Sequence, residues 1–294
     1  MQKLKVCIIG TGNIGTDLLI KIQRSPYLEC TLFAGRNLSS AGMIKAVGMG
    51  VRVSDRGIDA IIENPGVCDI VFDATSAANH LTHAPILKKM KKFVIDMTPA
   101  KIGTLCVPAV NLDEAVQSDN VNMITCGGQA SIPIAYAISQ AHKGLEYIET
   151  ISTISSRSAG PATRINIDEY IAATEKGLQK FCGVKETKAM LNLNPAKPAI
   201  DMQTTVMTEL ENPDMEKITE SVKKMVKVIQ NYVPGYELIV EPTYDMGRLL
   251  TTVRVQGLGD YLPKFAGNLD IINCAAIAVA EKYAQNMQKA KENE

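Results

Sequence analysis

The stretch K-V-C-I-I-G-T-G-N-I-G-T-D-L, residues 5–18, decides the fold of the first half of this chain. Lys5–Ile9 is a short apolar run typical of a buried strand, and Ile14–Gln23 carries apolar residues at helical spacing. Between strand and helix lies the pattern G-x-G-x-x-G. Its first glycine permits a tight turn, its second lets a pyrophosphate approach the backbone, and its third allows close packing of helix on strand.

This strand–turn–helix arrangement predicts a dinucleotide site. Free backbone N–H groups and the positive end of the helix dipole would meet the pyrophosphate there. The alternative is a glycine-rich turn with a purely structural role. The residues that we expect to contact the cofactor are Gly10, Thr11, Gly12, Asn13, Ile14 and Gly15.

The end of the second predicted strand normally decides between NAD and NADP. An acidic residue there binds the ribose 2′-hydroxyl, whereas an arginine accommodates a 2′-phosphate. The segment A-G-R-N-L-S-S, residues 34–40, has no carboxylate. Arg36 with Ser39 or Ser40 therefore slightly favours acceptance of NADP; an Arg36 that stacks on adenine or faces water is the alternative.

The first half of the chain alternates predicted strands with predicted helices, which favours a parallel sheet with helices on both faces. The further segments of this half are Leu28–Ala34, Ile70–Asp73, Phe93–Asp96 and Val121–Thr125 as strands, with Ala41–Gly48 and Gln129–His142 as helices.

The second half changes to an α+β pattern, in which alternating strands surround amphipathic helices. Its predicted strands are Tyr147–Ser155, Ala189–Leu193, Thr204–Glu209, Glu237–Glu241 and Leu250–Val255, and its helices are Ile167–Lys180, Met215–Asn231 and Leu269–Gln285. The predicted fold is α/β: an N-terminal Rossmann domain with a doubly wound parallel sheet (residues 1–125), an α+β domain (126–265), and a C-terminal helix (266–294) that packs back on the first domain.

Composition excludes several classes of protein. The 294 residues include 31 acidic and 31 basic side chains, so no net charge attracts nucleic acid or anionic lipid. No apolar run reaches the roughly 18 residues of a membrane-spanning helix. Seven cysteines without a C-x-x-C pair, and three histidines, show neither zinc spacing nor a disulfide framework. We therefore expect a cytoplasmic protein with no metal, no nucleic-acid partner and no membrane partner.

The segment M-I-T-C-G-G-Q-A, residues 123–130, leads from an apolar strand through two glycines into a helix. A cysteine there lies near a helix N-terminus, where the dipole lowers the thiol pKa and backbone N–H groups can bind an oxyanion. We therefore predict that Cys126 attacks an aldehyde, and that the thiohemiacetal then gives hydride to the nicotinamide. A buried, unreactive Cys126 is the alternative.

Histidines are poorly placed to serve this cysteine as a base. His142, the only histidine after Cys126, lies about 24 Å away along one predicted helix. His80 and His83 are expected at the surface of the first domain or behind its site. A readily ionised thiol acceptor needs less help from a base than water does, so the pattern suggests coenzyme A as acyl acceptor.

Taken together, these segments resemble the acylating acetaldehyde dehydrogenases that work beside 4-hydroxy-2-oxovalerate aldolase in aromatic-ring degradation. The resemblance covers nearly the whole chain. It is carried by residues 5–18, F-D-A-T-S-A (72–77), D-M-T-P-A (96–100), V-N-M-I-T-C-G-G-Q-A (121–130), I-S-S-R-S-A-G-P-A-T-R-I-N-I-D-E (154–169), Y-V-P-G-Y (232–236) and Y-L-P-K-F-A-G-N-L-D-I (261–271).

The resemblance implies a second domain for catalysis and dimerisation, and a reaction that converts acetaldehyde or propionaldehyde, NAD(P) and coenzyme A to acyl-coenzyme A and NAD(P)H. It implies Cys126 as the thioester nucleophile, Asn268 near the nicotinamide, a homodimer and an aldolase partner. Without the resemblance, S-A-G-P is simply a turn and Asn268 a helix N-cap. The implied cofactor-lining segment consists of Ser158, Ala159, Gly160, Pro161, Ala162, Thr163, Arg164, Ile165 and Asn166.

The chain departs from this family pattern at three places. Relatives usually have isoleucine-aspartate at Arg36-Asn37, which puts a preference for NAD in doubt. Many have aspartate where this chain has Thr204; Asp201 is offset by three residues and belongs to the opposite strand face. The segment from Glu241 to Gly259 is shorter than in typical relatives, which affects the expected oligomer or aldolase contact.

Two other functions fit the sequence. One is a semialdehyde dehydrogenase of the aspartate-semialdehyde type, which would use Arg157 and Arg164 for a substrate carboxylate but lacks a well-placed histidine base. The other is a non-catalytic dinucleotide-binding sensor. Turnover with coenzyme A or phosphate as acceptor distinguishes the three.

Overall fold

The computed structural model describes residues 3–292, with the side chains of Pro161, Ala162 and Lys291 outside what it describes. The chain forms two compact units. Unit 1 consists of Met1–Cys106, Asn111–Met123 and Asn273–Glu294, and unit 2 consists of Val107–Val110 and Ile124–Ile272.

Unit 1 contains a seven-stranded sheet whose paired strands all run parallel. Its strands are β1 (Leu4–Ile9), β2 (Leu28–Ala34), β3 (Val53–Ser54), β4 (Ile70–Asp73), β5 (Phe93–Asp96), β6 (Thr104–Leu105) and β7 (Asn120–Asn122). The spatial order is β3-β2-β1-β4-β5-β7-β6. β1 therefore lies between β2 and β4, at the point where the strand order reverses and where such sheets bind ligands beyond the carboxyl ends of their strands.

The helices that follow these strands are α1 (Asn13–Arg24), α2 (Ala41–Gly48), α3 (Asp59–Ile62), α4 (Ala77–Lys89) and α5 (Pro108–Ala115), with a 3₁₀ turn at Pro65–Val67. Every residue of β4 and β5 is buried. This burial explains why their sequences are continuously apolar up to the closing aspartate, as expected for strands covered on both faces.

Unit 2 contains a five-stranded sheet in the order β11-β12-β10-β8-β9. Its strands are β8 (Tyr147–Ser155), β9 (Glu186–Asn194), β10 (Met202–Glu209), β11 (Tyr236–Asp245) and β12 (Arg248–Val255). All pairs are antiparallel except β8 with β9. Its helices are α6 (Cys126–Ala141), α7 (Pro161–Ile165), α8 (Ile167–Cys182) and α9 (Met215–Gln230), and α6 packs against both α8 and α9.

The last helix, α10 (Gly267–Glu292), ends inside unit 1. There the ring of Tyr283 stacks on Phe93 with centroids 3.9 Å apart. Glu281 accepts a hydrogen bond from the Ser25 hydroxyl at 2.6 Å, and Asn273 donates to Asp17 at 2.8 Å. The predicted return of the C-terminal helix to the first domain is confirmed.

The predicted fold class is confirmed, while several boundaries differ. β7 ends at Asn122, three residues before the predicted end at Thr125, and α6 begins at Cys126 rather than Gln129. α4 was missed because Pro85 interrupts its pattern, and α5 because it is kinked at Asn111. Among the described residues, no helix combines the length and apolarity needed to cross a membrane.

Candidate active site

The glycine loop, residues 10–15, joins β1 to α1. Gly10 has a φ of 107°, which strains any residue with a side chain, and a Cβ there would overlap the carbonyl of Ala74. A Cβ at Gly15 would overlap the carbonyl oxygen of Gly10. The first and third glycines of the pattern therefore serve the tight turn and the close helix contact.

The start of α1 is open. Gly12 is its N-cap residue, and among the described residues no side chain caps this end. Gly12 and Asn13 are exposed, and a Cβ at Gly12 would meet no atom within 4 Å. Backbone N–H groups at this helix start therefore remain available, and the dipole favours an anion there. This end of α1 fits the pyrophosphate of a dinucleotide.

The segment after β2 lies beside this loop. The Thr11 and Ser40 hydroxyls are 3.4 Å apart, so the structure brings the glycine loop and residues 34–40 together. Asn37 Oδ1 accepts hydrogen bonds from the backbone N–H and the hydroxyl of Ser39 at 2.9 and 2.7 Å. Arg36 is exposed. This arrangement leaves the guanidinium free to move toward a 2′-phosphate.

A buried group of charged side chains, the Asp73–His80–Asp96 cluster, lies at the carboxyl ends of β4 and β5. His80 Nδ1 and His83 Nδ1 donate to Asp73 at 2.9 and 2.8 Å, and His80 Nε2 lies 3.4 Å from Asp96. His80 is fully buried, so of the two expected positions the surface is excluded and the one behind the site remains. The cluster lies directly before Ala74, the residue that touches Gly10.

Protonation in this cluster follows its contacts. Burial raises the pKa of Asp73, but hydrogen bonds from His80 and His83 outweigh it and hold that pKa below its ordinary value. Burial raises the pKa of Asp96 to about 6. Burial lowers the pKa of His80, but the hydrogen bond to Asp73 and the charge of Asp96 raise it above its ordinary value. The contacts thus favour the ionised form of Asp73 and the protonated form of His80, in a cluster that lies next to the glycine loop.

The nucleophile turn, residues 124–128, connects β7 to α6. Ile124 has a φ of 63°, which costs a β-branched residue about 1–3 kcal/mol. Thr125 is the N-cap of α6, and its Oγ1 accepts the Gly128 N–H at 2.8 Å. Cys126 follows as the first residue of the helix and is half-buried. The predicted position of this cysteine at a helix start is therefore confirmed.

The sulfur of Cys126 has a hydroxyl neighbour, Tyr170 Oη of α8, at 3.9 Å. Burial raises the pKa of Cys126 to about 11. The hydrogen bond from Tyr170 opposes this rise more than the backbone N–H groups of Gly127 and Cys126 do. The expectation that the helix start alone favours the thiolate is therefore wrong, because burial dominates and the strongest opposing contact is a tyrosine.

The helix α8 supports the nucleophile turn through two residues that are one helical turn apart. Tyr170 contacts Cys126, and the Thr174 hydroxyl lies 2.7 Å from the Thr125 hydroxyl. Thr174 Oγ1 in turn donates to the Tyr170 carbonyl at 2.8 Å. The hydrogen bonds thus run from the Gly128 N–H through Thr125 and Thr174 into the backbone of α8.

Gly127 permits this close approach. A Cβ at Gly127 would overlap Tyr170 Oη and crowd the Ser152 hydroxyl. The Gly128 N–H is bound by Thr125. One N–H group at this helix start, where a substrate oxyanion was expected to bind, therefore already has an acceptor within the protein.

The predicted cofactor-lining segment, residues 158–166, forms a turn and the short helix α7 just before α8. Ser158 is buried, and its hydroxyl donates to the Ser155 carbonyl at 2.9 Å. Arg164 donates to the Ala159 carbonyl at 3.1 Å and to the Ser156 carbonyl and hydroxyl at 2.9 and 2.8 Å. Arg164 therefore fastens this turn. The side chains of Pro161 and Ala162 lie outside the described residues.

Asn268 is the second residue of α10, so its interpretation as an N-cap is wrong. It is 1% exposed, and its Oδ1 has no hydrogen-bond partner among the described residues. A buried amide oxygen without a donor costs free energy unless a ligand supplies one. The carboxamide N–H₂ of a nicotinamide is such a donor.

The remaining candidates have other roles. His142 is the C-cap of α6, at the opposite end of that helix from Cys126, so it does not serve as a base there. The Arg157 guanidinium lies 5.2 Å from the centroid of the Phe265 ring. The sequence interpretation missed Tyr170, Thr174 and Ser152. The only signal was the apolar periodicity of α8, which marks a buried face without saying what it faces.

Two family models match the chain. One, described as prokaryotic acetaldehyde dehydrogenase, dimerisation, matches residues 126–263. The other, described as semialdehyde dehydrogenase, NAD binding domain, matches residues 5–118. Together they cover the glycine loop and the nucleophile turn from Cys126 onward.

Curated relatives match over almost their whole length. Acetaldehyde dehydrogenase of Pectobacterium atrosepticum is 59% identical over 282 residues, covering 95% of each chain. Acetaldehyde dehydrogenase of Spirochaeta aurantia is 55% identical over 284 residues, covering 97% of this chain and 96% of that relative.

Solved structures of lower identity share the fold. Aspartate semialdehyde dehydrogenase II from Vibrio cholerae has a TM-score of 0.67 at 15% identity, covering 97% of this chain and 99% of that one. Aspartate semialdehyde dehydrogenase with NADP from Candida albicans has a TM-score of 0.67 at 11% identity, with the same coverage. At these identities the similarity establishes the fold alone.

Proposed function

Because this chain belongs to the acetaldehyde dehydrogenase family, we propose that it converts acetaldehyde or propionaldehyde, NAD or NADP, and coenzyme A to acyl-coenzyme A and reduced cofactor. The observation that carries this proposal is the position of Cys126. It is a half-buried thiol at the first residue of α6, with a tyrosine hydroxyl beside its sulfur. Five of the other cysteines are buried, and Cys182 lies at the far end of α8.

The chemistry on Cys126 consists of two attacks on carbonyl carbon. The thiolate sulfur bonds to the aldehyde carbon, and the carbonyl electron pair moves to oxygen. When bound, the nicotinamide accepts the hydride that brings this carbon to the acyl level. Cys126 then holds the acyl group as a thioester, and the coenzyme A thiolate attacks that carbonyl. The carbon–sulfur bond to Cys126 breaks, and the Cys126 thiolate returns.

The residues of each unit that would hold the cofactor fit it separately. In unit 1, Gly12 and Asn13 present the open start of α1 to a pyrophosphate, and Arg36 offers a cation near the ribose end. In unit 2, Asn268 offers an unpaired acceptor for a carboxamide. Residues 158–166, which would line the cofactor, include the turn that Arg164 stabilises through its hydrogen bonds to backbone carbonyls.

The alternative function, a semialdehyde dehydrogenase that binds a substrate carboxylate, has less support. Arg164 is engaged with backbone carbonyls of its own turn, and Arg157 lies against Phe265. Both arginines that would bind a semialdehyde carboxylate thus have structural contacts. A sensor without turnover remains the other alternative, and a turnover experiment decides it.

The test is steady-state turnover with acetaldehyde and propionaldehyde, each with NAD and with NADP, and with coenzyme A, phosphate or no acceptor. We expect reduction of the cofactor that depends on coenzyme A. Cys126→Ala should lower it by about a thousandfold or more. The control Cys182→Ala should leave it intact. Cofactor binding without turnover, or turnover that phosphate supports equally well, would overturn the proposal.

We also propose a homodimer and an aldolase partner, with a cytoplasmic location. The dimerisation model that matches residues 126–263 supports the homodimer. Sedimentation at several protein concentrations tests it, with a monomer at all of them as the contrary result. Co-purification with a 4-hydroxy-2-oxovalerate aldolase tests the aldolase, and failure to associate at micromolar concentration counts against it.

A further inference from the structure

A row of hydroxyl groups leads from the nucleophile into the sheet of unit 2. Tyr170 Oη lies 3.9 Å from Cys126 Sγ, Tyr170 Oη and Ser152 Oγ both lie against Gly127, within 1.9 and 2.8 Å of where its Cβ would be, and Thr204 Oγ1 lies 3.0 Å from Ser152 Oγ. The row therefore joins α6, α8, β8 and β10. The chemistry described for Cys126 uses none of these three hydroxyls.

We propose that Tyr170 is a further catalytic residue, whose hydroxyl donates a hydrogen bond to the Cys126 thiolate, and that Ser152 and Thr204 position it. The proposal rests on the proposed function in taking Cys126 as the nucleophile. The same contact serves twice, because Cys126 is a thiolate both when it attacks the aldehyde and when the acyl group leaves it.

The hydrogen bond between Cys126 and Tyr170 changes direction when the thiol ionises. As a thiol, Cys126 Sγ donates to Tyr170 Oη at 3.9 Å. As a thiolate the sulfur can only accept, so the phenolic hydroxyl beside it becomes the donor. Either hydroxyl can donate in the 3.0 Å hydrogen bond between Ser152 and Thr204, so this pair can turn its dipoles toward the thiolate.

Burial strengthens this arrangement. Tyr170, Ser152 and Thr204 are 7%, 3% and 1% exposed. A hydrogen bond to an anion is worth more in such surroundings than in water. Within the described part of the chain, no carboxylate or histidine is hydrogen-bonded to any member of the row. Neutral hydroxyls therefore provide the stabilisation that a charged partner would otherwise give.

Tyr170 acts as a donor and not as a base. Burial raises its pKa well above the ordinary value, so it keeps its proton at neutral pH. When Cys126 ionises, its proton leaves to solvent, which reaches this half-buried side chain. No proton has to pass along the row, and only the hydroxyl orientations change.

The experiment measures how fast iodoacetamide alkylates Cys126 in the full-length protein between pH 7 and 11, followed by mass spectrometry of the Cys126 peptide. Tyr170→Phe should raise the apparent thiol pKa by about one unit, which slows alkylation roughly tenfold at a fixed pH below it. Thr204→Val should shift the profile in the same direction by about threefold in rate. Thr204→Ser, which restores a hydroxyl, should move it back toward the wild type.

The matched control is Tyr136→Phe, which removes a tyrosine hydroxyl from α6 itself, away from the helix start. Its profile should overlay the wild type. Thermal unfolding of each variant separates local effects from loss of structure, and Ser152→Ala gives a second route if Tyr170→Phe unfolds. A Tyr170→Phe profile that matches the wild type overturns the proposal. If that variant still forms an acyl adduct on Cys126, the proposed function stands without it.

Discussion

The two strand–turn–helix junctions of this chain use similar sequences in opposite ways. At the glycine loop, α1 begins without a side-chain cap among the described residues, and its N-cap Gly12 faces open space. At the nucleophile turn, Thr125 caps α6 by accepting the Gly128 N–H, and the Tyr170 hydroxyl lies against Gly127. The first junction thus leaves its donors for an anionic ligand, whereas the second is capped by a side chain of its own and packed against a tyrosine.

The support behind each junction differs as well. The Asp73–His80–Asp96 cluster, which consists of titratable groups, lies next to the glycine loop. Neutral hydroxyls of Tyr170 and Thr174 back the nucleophile turn. A helix start is therefore not a functional site by itself: what its N–H groups already bind decides whether it holds a ligand or orients a residue.

The largest expected effect is that of Gly10→Ala, since the new Cβ would meet the Ala74 carbonyl at a positive φ. We expect a loss of about 3 kcal/mol in the free energy of unfolding, together with lost cofactor binding. The matched variant Gly12→Ala should change stability by less than about 0.5 kcal/mol, because its Cβ meets no atom, yet raise the KM for the cofactor about tenfold.

Urea unfolding and cofactor kinetics measure this pair. Equal loss of stability in Gly10→Ala and Gly12→Ala would mean that the loop is merely structural. An unchanged KM for the cofactor in Gly12→Ala would show that the N-terminus of α1 does not bind the cofactor pyrophosphate.

Gly127→Ala should have the next largest effect. Its Cβ would displace the Tyr170 hydroxyl, at a cost of about 2 kcal/mol. Because Tyr170 then moves from the sulfur, alkylation of Cys126 should also slow. The control Gly48→Ala, in a helix with no atom near the added Cβ, should not destabilise the protein. If Gly127→Ala leaves both stability and alkylation unchanged, the close approach of α8 to the turn is wrong.

Thr125→Ala removes the cap that distinguishes the second junction from the first. Loss of an N-cap side chain costs about 1 kcal/mol, and the Thr174 hydroxyl also loses one of its two partners. Thr125→Ser keeps the cap and should recover most of the stability. Chemical unfolding of the three proteins checks this; identical midpoints for alanine and threonine would contradict a capping role.

The smallest effect is a pH dependence that the titratable Asp73–His80–Asp96 cluster should show and the hydroxyls near Cys126 should not. The pKa of His80 is raised in the folded protein, so its stabilising contribution is full below about pH 6.5 and is lost as pH rises through the folded pKa. Asp96, with its pKa raised to about 6, likewise favours the folded protein at lower pH, and this contribution is lost between about pH 4 and 6.

Between about pH 6.5 and 8.5, the unfolding free energy of the wild type should therefore fall more steeply than that of His80→Asn. The lower limit of this range is the ordinary pKa of histidine. His142→Asn, at the far end of α6, is the control and should keep the wild-type slope. Parallel slopes in wild type and His80→Asn would show that His80 does not carry its proton in the folded state.

The sequence predicted what short-range patterns encode. Lys5–Ile9, the glycine loop and Cys126 at a helix start follow from periodicity and turn chemistry. The contacts of Tyr170, Ser152 and Thr204 depend on how α8, β8 and β10 meet α6, which no local pattern contains. For the same reason the thiol pKa was predicted in the wrong direction: the helix start is visible in sequence, but burial of the sulfur is not.

Resemblance and geometry contribute differently at Thr204. The resemblance described from the sequence leads one to expect aspartate at Thr204 and marks the threonine as a departure, but it gives the threonine no role. The structure places the Thr204 hydroxyl 3.0 Å from that of Ser152. Ser152 and Tyr170 lie between Thr204 and the nucleophile Cys126. A departure from a family pattern was therefore a pointer to the site, and three-dimensional contacts were needed to use it.

The most direct test of Cys126 as nucleophile is mass spectrometry of protein mixed with acetaldehyde and NAD or NADP in the absence of coenzyme A, then digested in acid. We predict an acetyl group on the peptide that contains Cys126, and its loss when coenzyme A is added before quenching. No adduct on that peptide while turnover proceeds, or an adduct on another cysteine such as Cys182, would contradict the account.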